Sequence, residues 1–289
     1  MKGTANWSVA ANTRDRVGEG PVWVAAESAL YWVDNLGQII HRLSLADGSL
    51  QQWEVPEPIG FIVPRRGDNT SFVVGLQSGF YALRLEPFEL VAWGDPEPGL
   101  TNNRFNDGKV DAQGRLWAGT MPMDGKSPDG TLYRLDPDHS WRSLDTGYRV
   151  TNGPAFSPAQ DVVYHTDSAS RVVYRFELDQ AGKLHSKAPF ILFENDWGLP
   201  DGMTVDAMGC LWIAHWDGGR VSRFDPEGRL DHSVVLPASR ITSCTFGGRN
   251  LDRLFVTSAS EGRQHEPLAG ALFELVPGAI GIPAGAFAG

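Results

Sequence analysis

Three short phrases put an oxygen-bearing side chain directly before a glycine: Glu19-Gly20-Pro21, Asn152-Gly153-Pro154 and Asp201-Gly202-Met203. Each leads into an apolar run, and each is followed about ten residues later by an aromatic strand that ends in a polar turn, at 30–34, 162–167 and 211–215. A layout that recurs with fixed internal spacing marks a repeat, and equivalent positions of a closed repeat meet in space. Two carboxylates brought together repel unless a cation or a shared proton lies between them. With an amide oxygen added, Glu19, Asn152 and Asp201 make a hard-oxygen set suited to Ca²⁺, Mg²⁺, Mn²⁺ or a similar ion. Three protein ligands would leave positions for water and substrate. The equivalent place in a further unit is Asn106 or Asp107. The competing reading treats Asn-Gly and Asp-Gly as turn formers and Glu-Gly-Pro as a kink; spacing alone leaves both open.

Other chemical motifs fail. Gly125-Lys126-Ser127 resembles the end of a phosphate loop, but Thr120 stands where the first glycine belongs and no helix follows. Gly18-x-Gly20 lacks the third glycine of a dinucleotide fingerprint. No His-Glu-x-x-His and no Gly-x-Ser-x-Gly occurs, which removes the usual support for a zinc protease or serine hydrolase. Among the histidines, only His165 and His215 hold matching places, at the ends of second strands; they read as core or loop residues that could reach a central channel.

The elements that must position these side chains are short strands. The glycines that open successive units lie at 20, 60, 108, 153 and 202, steps of 40, 48, 45 and 49 residues, each long enough for four strands of a propeller blade. Six such units fit the chain, with residues 7–10 free to add a strand to the last and close the ring. No helical period persists for three turns. The predicted fold is therefore all-β: a six-bladed propeller with four antiparallel strands per blade, one domain over 1–289. The Asp-x-x-Gly segments at 111–114 and 206–209 read as hairpin turns. The small, apolar, glycine-rich tail over 277–289 is expected to be loosely ordered.

A net charge of −10, with the acids dispersed, argues against nucleic acid or an anionic membrane as partner, and no obligate protein partner is evident. Residues 1–16 hold no apolar run of signal-peptide length, so the expected compartment is cytoplasmic. Cys210 and Cys244 are then expected as buried free thiols, and the sequons at Asn6 and Asn69 carry no weight.

Taken in order, Gly18-Glu19-Gly20-Pro21, Asn103-Arg104-Phe105-Asn106-Asp107-Gly108-Lys109-Val110-Asp111, Gly119-Thr120-Met121, Thr151-Asn152-Gly153 and Pro200-Asp201-Gly202-Met203 resemble the signature phrases of the regucalcin (senescence marker protein)/gluconolactonase family. The resemblance runs from about residue 15 to 275. It implies a six-bladed propeller that hydrolyses sugar lactones with one divalent cation in its channel. By it, Glu19, Asn152 and Asp201 are metal ligands, and Arg104 and Asn106 bind substrate, Asn106 being preferred to Asp107; Asp201, at the metal, is then the expected catalytic residue, taking the proton of the attacking water. Some relatives carry a glutamate shortly after Gly-Thr-Met; Asp124 is the nearest match here. The expected activity is metal-dependent hydrolysis of an aldonolactone, with Ca, Mg, Mn, Zn or Fe as the ion. The rivals are a non-catalytic binding propeller stiffened by the cation, and an aryl-lactonase or phosphotriesterase on the same centre.

Overall fold

The computed structural model describes residues 7–289; the sequon at Asn6 and the start of the amino-terminal segment lie outside the described residues. Six four-stranded antiparallel sheets follow one another as the blades of a propeller, and apart from two 3-10 turns the described residues form no helix. The strands that start the six sheets, and that line the channel, are Gly18–Val24, Ile59–Arg65, Asn103–Val110, Thr151–Phe156, Leu199–Val205 and Ile241–Gly247. The sixth sheet is completed by Trp7–Ala11, which pairs antiparallel with Leu272–Leu275. The amino-terminal strand thus closes the ring, as the repeat count requires, by joining the two ends of the chain in one blade.

The blades pack against one another through their inner strands, and second strands lie against the inner strand of the next blade. Trp117 and Trp212, at matching places in blades three and five, and Trp32, two residues further along the second strand of blade one, are among the largest fully buried side chains. An indole N–H in such a position needs an acceptor, and each has an aspartate: Asp15 for Trp32 at 2.8 Å, Asp111 for Trp117 at 2.8 Å and Asp206 for Trp212 at 3.0 Å. Asp111 and Asp206 do form hairpin turns, accepting backbone N–H groups with Oδ1, but Oδ2 reaches past the turn to the tryptophan. In Asp206 the same Oδ2 also accepts from Arg223 Nε at 2.8 Å. The turn is therefore also a clasp between strands. Asp206→Ala strands the Trp212 N–H in the core and leaves Arg223 with only the exposed Asp231 as partner, so a loss of about 2–4 kcal/mol is expected in urea unfolding. A loss within 0.5 kcal/mol of zero, about what surface substitutions give, would reduce Asp206 to a turn former.

The tail over 277–289 corrects the sequence expectation of loose order. It lies across the carboxyl ends of the inner strands: Ala207 N donates to Ile280 O, Gly281 N to Leu251 O, Phe287 N to Pro64 O and Ala288 N to Gly114 O, at 2.8–3.0 Å. Phe287 is fully buried. The composition that suggested looseness serves close approach: Gly285 sits against the Val110 carbonyl where a side chain would collide. With the tail there, the channel is covered at the end remote from Glu19, Asn152 and Asp201.

No helix among the described residues is long and apolar enough to cross a membrane. Cys210 and Cys244 are both buried and free.

Candidate active site

The oxygen-glycine phrases fall at the starts of the inner strands, where each strand departs from regular pairing. Register slips between Glu19 and Val22, Phe105 and Asp107, Asn152 and Ala155, and Pro200 and Met203. A bulge bends the strand and re-aims the side chain beside it; repeated blade by blade, it aims these side chains at the channel axis. Gly153, at φ +80°, takes a conformation that a side chain would strain. Gly20, at φ +54°, shares that need, whereas Gly202 is required by the close approach of Ser243 and Thr242.

The resulting cluster is almost closed to solvent: Glu19, Asn152 and Asp201 are 3%, 1% and 5% exposed. Burial, then the negative charge of Asp201 and of Asp107, pushes the Glu19 carboxyl well above the usual range. Burial and Asp107 do the same for Asp201, whose carboxylate is partly relieved by Gly202 N–H, Arg104 and the Asn152 side chain. Asn152 donates its Nδ2 to Ser168 Oγ at 2.9 Å, which fixes the amide and turns Oδ1 toward the cluster. Asn106 approaches that oxygen with its own Nδ2 at 3.3 Å and also donates to Thr151 O at 2.6 Å.

Arg104 is the cation closest to the two acids. Burial pulls its pKa down to about 10, while the attraction of Glu19 and Asp201 works the other way. Its Nη1 donates to Phe105 O at 2.9 Å and Asn106 Oδ1 at 2.7 Å. Its Nε–H is buried without a partner among the described residues.

Two buried carboxylates, both held above the usual range and one of them in part by the charge of the other, completed by a tethered amide oxygen, fit a hard divalent cation: the ion would remove the repulsion that burial otherwise enforces. Among the described residues no three His, Cys, Asp or Glu side chains converge in the manner of an all-acid or histidine site. The fit therefore rests on two acids plus Asn152.

Five of the sequence-predicted site residues, Glu19, Arg104, Asn106, Asn152 and Asp201, thus meet at one end of the channel. Asp124 does not join them; it is exposed in the turn after 116–122 and accepts from Lys126 N at 3.0 Å. His165 and His215 are fully buried within their blades. His215 Nδ1 faces Trp197 O at 2.7 Å, and His165 packs edge-on to Tyr148; burial lowers their pKa values to about 4 and about 3. Two supporting residues were missed. Asp107, weighed only as an alternative to Asn106, accepts from Gly108 N at 2.7 Å and Gly153 N at 2.9 Å, so it ties two inner strands together beneath the cluster. Its place inside Asn106-Asp107-Gly108 was the available signal. Ser168 carried none, lying in a loop with no motif.

Comparison with known proteins agrees with this geometry. Residues 17–260 match the family model described as the SMP-30/gluconolactonase/LRE-like region. The chain is 38% identical to a 6-deoxy-6-sulfogluconolactonase of Pseudomonas putida, over 88% of this chain and 87% of that one. It is 38% identical to regucalcin of Danio rerio over 96% of each. Among solved structures, a luciferin-regenerating enzyme superposes with a TM-score of 0.93 at 29% identity, covering 98% of this chain and 99% of the other. A calcium-binding protein, regucalcin, from Agrobacterium tumefaciens gives 0.93 at 26% identity over 98% and 97%. With the family phrases brought together at one channel mouth and the match spanning most of the chain, the protein belongs to the SMP-30/gluconolactonase/LRE-like family.

Proposed function

We propose that the protein hydrolyses a sugar lactone to its aldonic acid, using a divalent cation held by Glu19, Asn152 and Asp201. The observation that carries this reading is the pair of buried carboxylates facing a buried guanidinium at the channel mouth, in a family with lactonases among its named members. When bound, the cation would polarise the lactone carbonyl and offset the charge that builds on its oxygen.

The chain's own groups supply the rest. Water adds to the carbonyl carbon and gives its proton to Asp201; the ring C–O bond then breaks and the ring oxygen takes up a proton, leaving a hydroxy acid. Arg104, with an unpaired Nε–H, and Asn106, held by Arg104 and Thr151, would bind ring or carbonyl oxygens directionally. Asp124, exposed in the turn after 116–122, is proposed as an outer contact for sugar hydroxyls. Near-complete burial keeps bulk water from competing for these hydrogen bonds.

Arg104→Ala is expected to raise KM and to lower kcat/KM by roughly 10–150-fold, the worth of one charge-assisted hydrogen bond. Arg104→Lys should recover only part, since a lysine loses the planar fork. Unchanged steady-state kinetics in both variants would remove Arg104 from substrate binding. The reading as a whole is tested by pH-stat hydrolysis of xylono-, arabinono-, galactono- and gluconolactones by chelator-treated protein, with Ca²⁺, Mg²⁺, Mn²⁺, Zn²⁺ or Fe²⁺ restored singly. No acceleration over the spontaneous rate in any pairing would leave a binding propeller.

A further inference from the structure

Arg104 also lines a cavity of about 330 Å³ formed by residues of blades two and three and the connections beside them. That size is at the lower end of small-ligand pockets and suits one monosaccharide. Its walls come from the connections on the same face as the site: Glu57 between blades one and two, Ser78 in a turn of blade two, and Asp95 and Glu97 between blades two and three. Three carboxylates thus stand against the single guanidinium of Arg104.

The carboxylates differ in how they are used. Glu97 is buried and spoken for, accepting from Asn103 Nδ2 at 2.8 Å, Thr120 Oγ1 at 2.8 Å and Tyr133 OH at 3.1 Å. Those bonds fix its carboxyl group in the wall. Glu57 is held by the Ser78 hydroxyl. Asp95 accepts Glu97 N with Oδ1 at 2.7 Å, and its Oδ2 has no partner among the described residues. Independently of the acids, Arg104 points to a ligand: it is 8% exposed, lines this cavity, and keeps a buried Nε–H unpaired.

We propose that this alcove receives the hydroxylated chain that extends from the lactone ring and selects against an anionic group on it, with Glu57, Asp95 and Glu97 as the discriminating residues. The proposal rests on the lactonase reading above. Hydroxyl groups can donate to the free carboxylate oxygens, whereas a sulfonate, phosphate or carboxylate brings only acceptors and a like charge into a partly desolvated recess. Arg104 does not offset this, because Glu19 and Asp201 already draw on its charge.

The test compares kcat/KM for a neutral hexonolactone and its 6-phosphorylated counterpart. The wild-type protein is expected to favour the neutral lactone by roughly tenfold or more at low salt. That ratio should shrink as salt is raised, because Glu57 and Asp95 are only partly buried. In the Glu57→Gln/Asp95→Asn double variant the ratio should fall at least about threefold, chiefly through a lower KM for the charged lactone. Parity of the two lactones in wild type, or a ratio indifferent to both salt and the double variant, overturns the alcove while leaving lactone hydrolysis intact. If the double variant does not fold, the salt dependence decides alone. Hydrolysis of neither lactone overturns the lactonase reading and this one with it.

Discussion

Asp201→Ala should lower kcat by roughly 10³-fold or more, within the range seen when a general base is removed, and yet should not unfold the protein. In cation-free buffer it should be more stable than wild type. Burial and Asp107 hold the Asp201 carboxyl above its usual range, and Glu19 is raised in part by Asp201 itself. A carboxyl whose folded pKa is raised keeps its proton in the native state after the unfolded chain has lost it. Native stability therefore falls as pH rises from about 4, the unfolded value, through the raised folded value. Above that value the cation-free wild type carries the whole penalty. The variant lacks one acid and relaxes the other. Its Tm advantage in chelator should accordingly grow between pH 5 and pH 8. Added Ca²⁺ or Mn²⁺ should raise the wild-type Tm and leave the variant unmoved, because binding to the native state alone stabilises it. Near-normal kcat in the variant would end the assignment of Asp201 as base. A wild type that gains on the variant as cation-free pH rises would instead show that the acids do not repel.

The ring of blades was legible because its physics is periodic. Glycines spaced 40–49 residues apart, each followed by an aromatic second strand, can be read without knowing what the strands touch. The acid and amide cluster was legible for the same reason: Glu19, Asn152 and Asp201 occupy one repeat position, and a bulge there serves every blade. What the sequence hid lies outside the repeat. Asp206 and Asp111 looked like turn residues because one oxygen of each does cap a turn; the other oxygen's reach to tryptophan depends on a neighbouring strand. Ser168 positions Asn152 from a loop whose path only the fold defines. The acidic alcove draws on connections between three blades, so no single stretch of chain advertises it.

The tail was misread for a more general reason: small residues and glycines describe a flexible segment and a tightly packed one equally well, and the difference is the partner surface. Phe287 decides it here. Phe287→Ala is expected to destabilise the protein by about 3–5 kcal/mol, the usual cost of truncating a buried phenylalanine. The ring is fully buried, 5.7 Å from Trp93 and 6.2 Å from the His139 ring, within the cluster that includes Phe61, Val63 and Phe80. Its backbone N–H and C=O are bonded to Pro64 and Arg66 at the end of the second blade's inner strand. The alanine leaves a void where that strand meets the third blade, and the flanking hydrogen bonds limit how far the chain can collapse to fill it. The loss should appear as a lower urea midpoint at unchanged slope, since the same surface is exposed on unfolding. KM for the lactone should stay put, because Phe287 packs at the channel end remote from Glu19 and Asp201. A loss below 1 kcal/mol would mean the tail detaches readily, and the lower slope of a partly open native state would then accompany it.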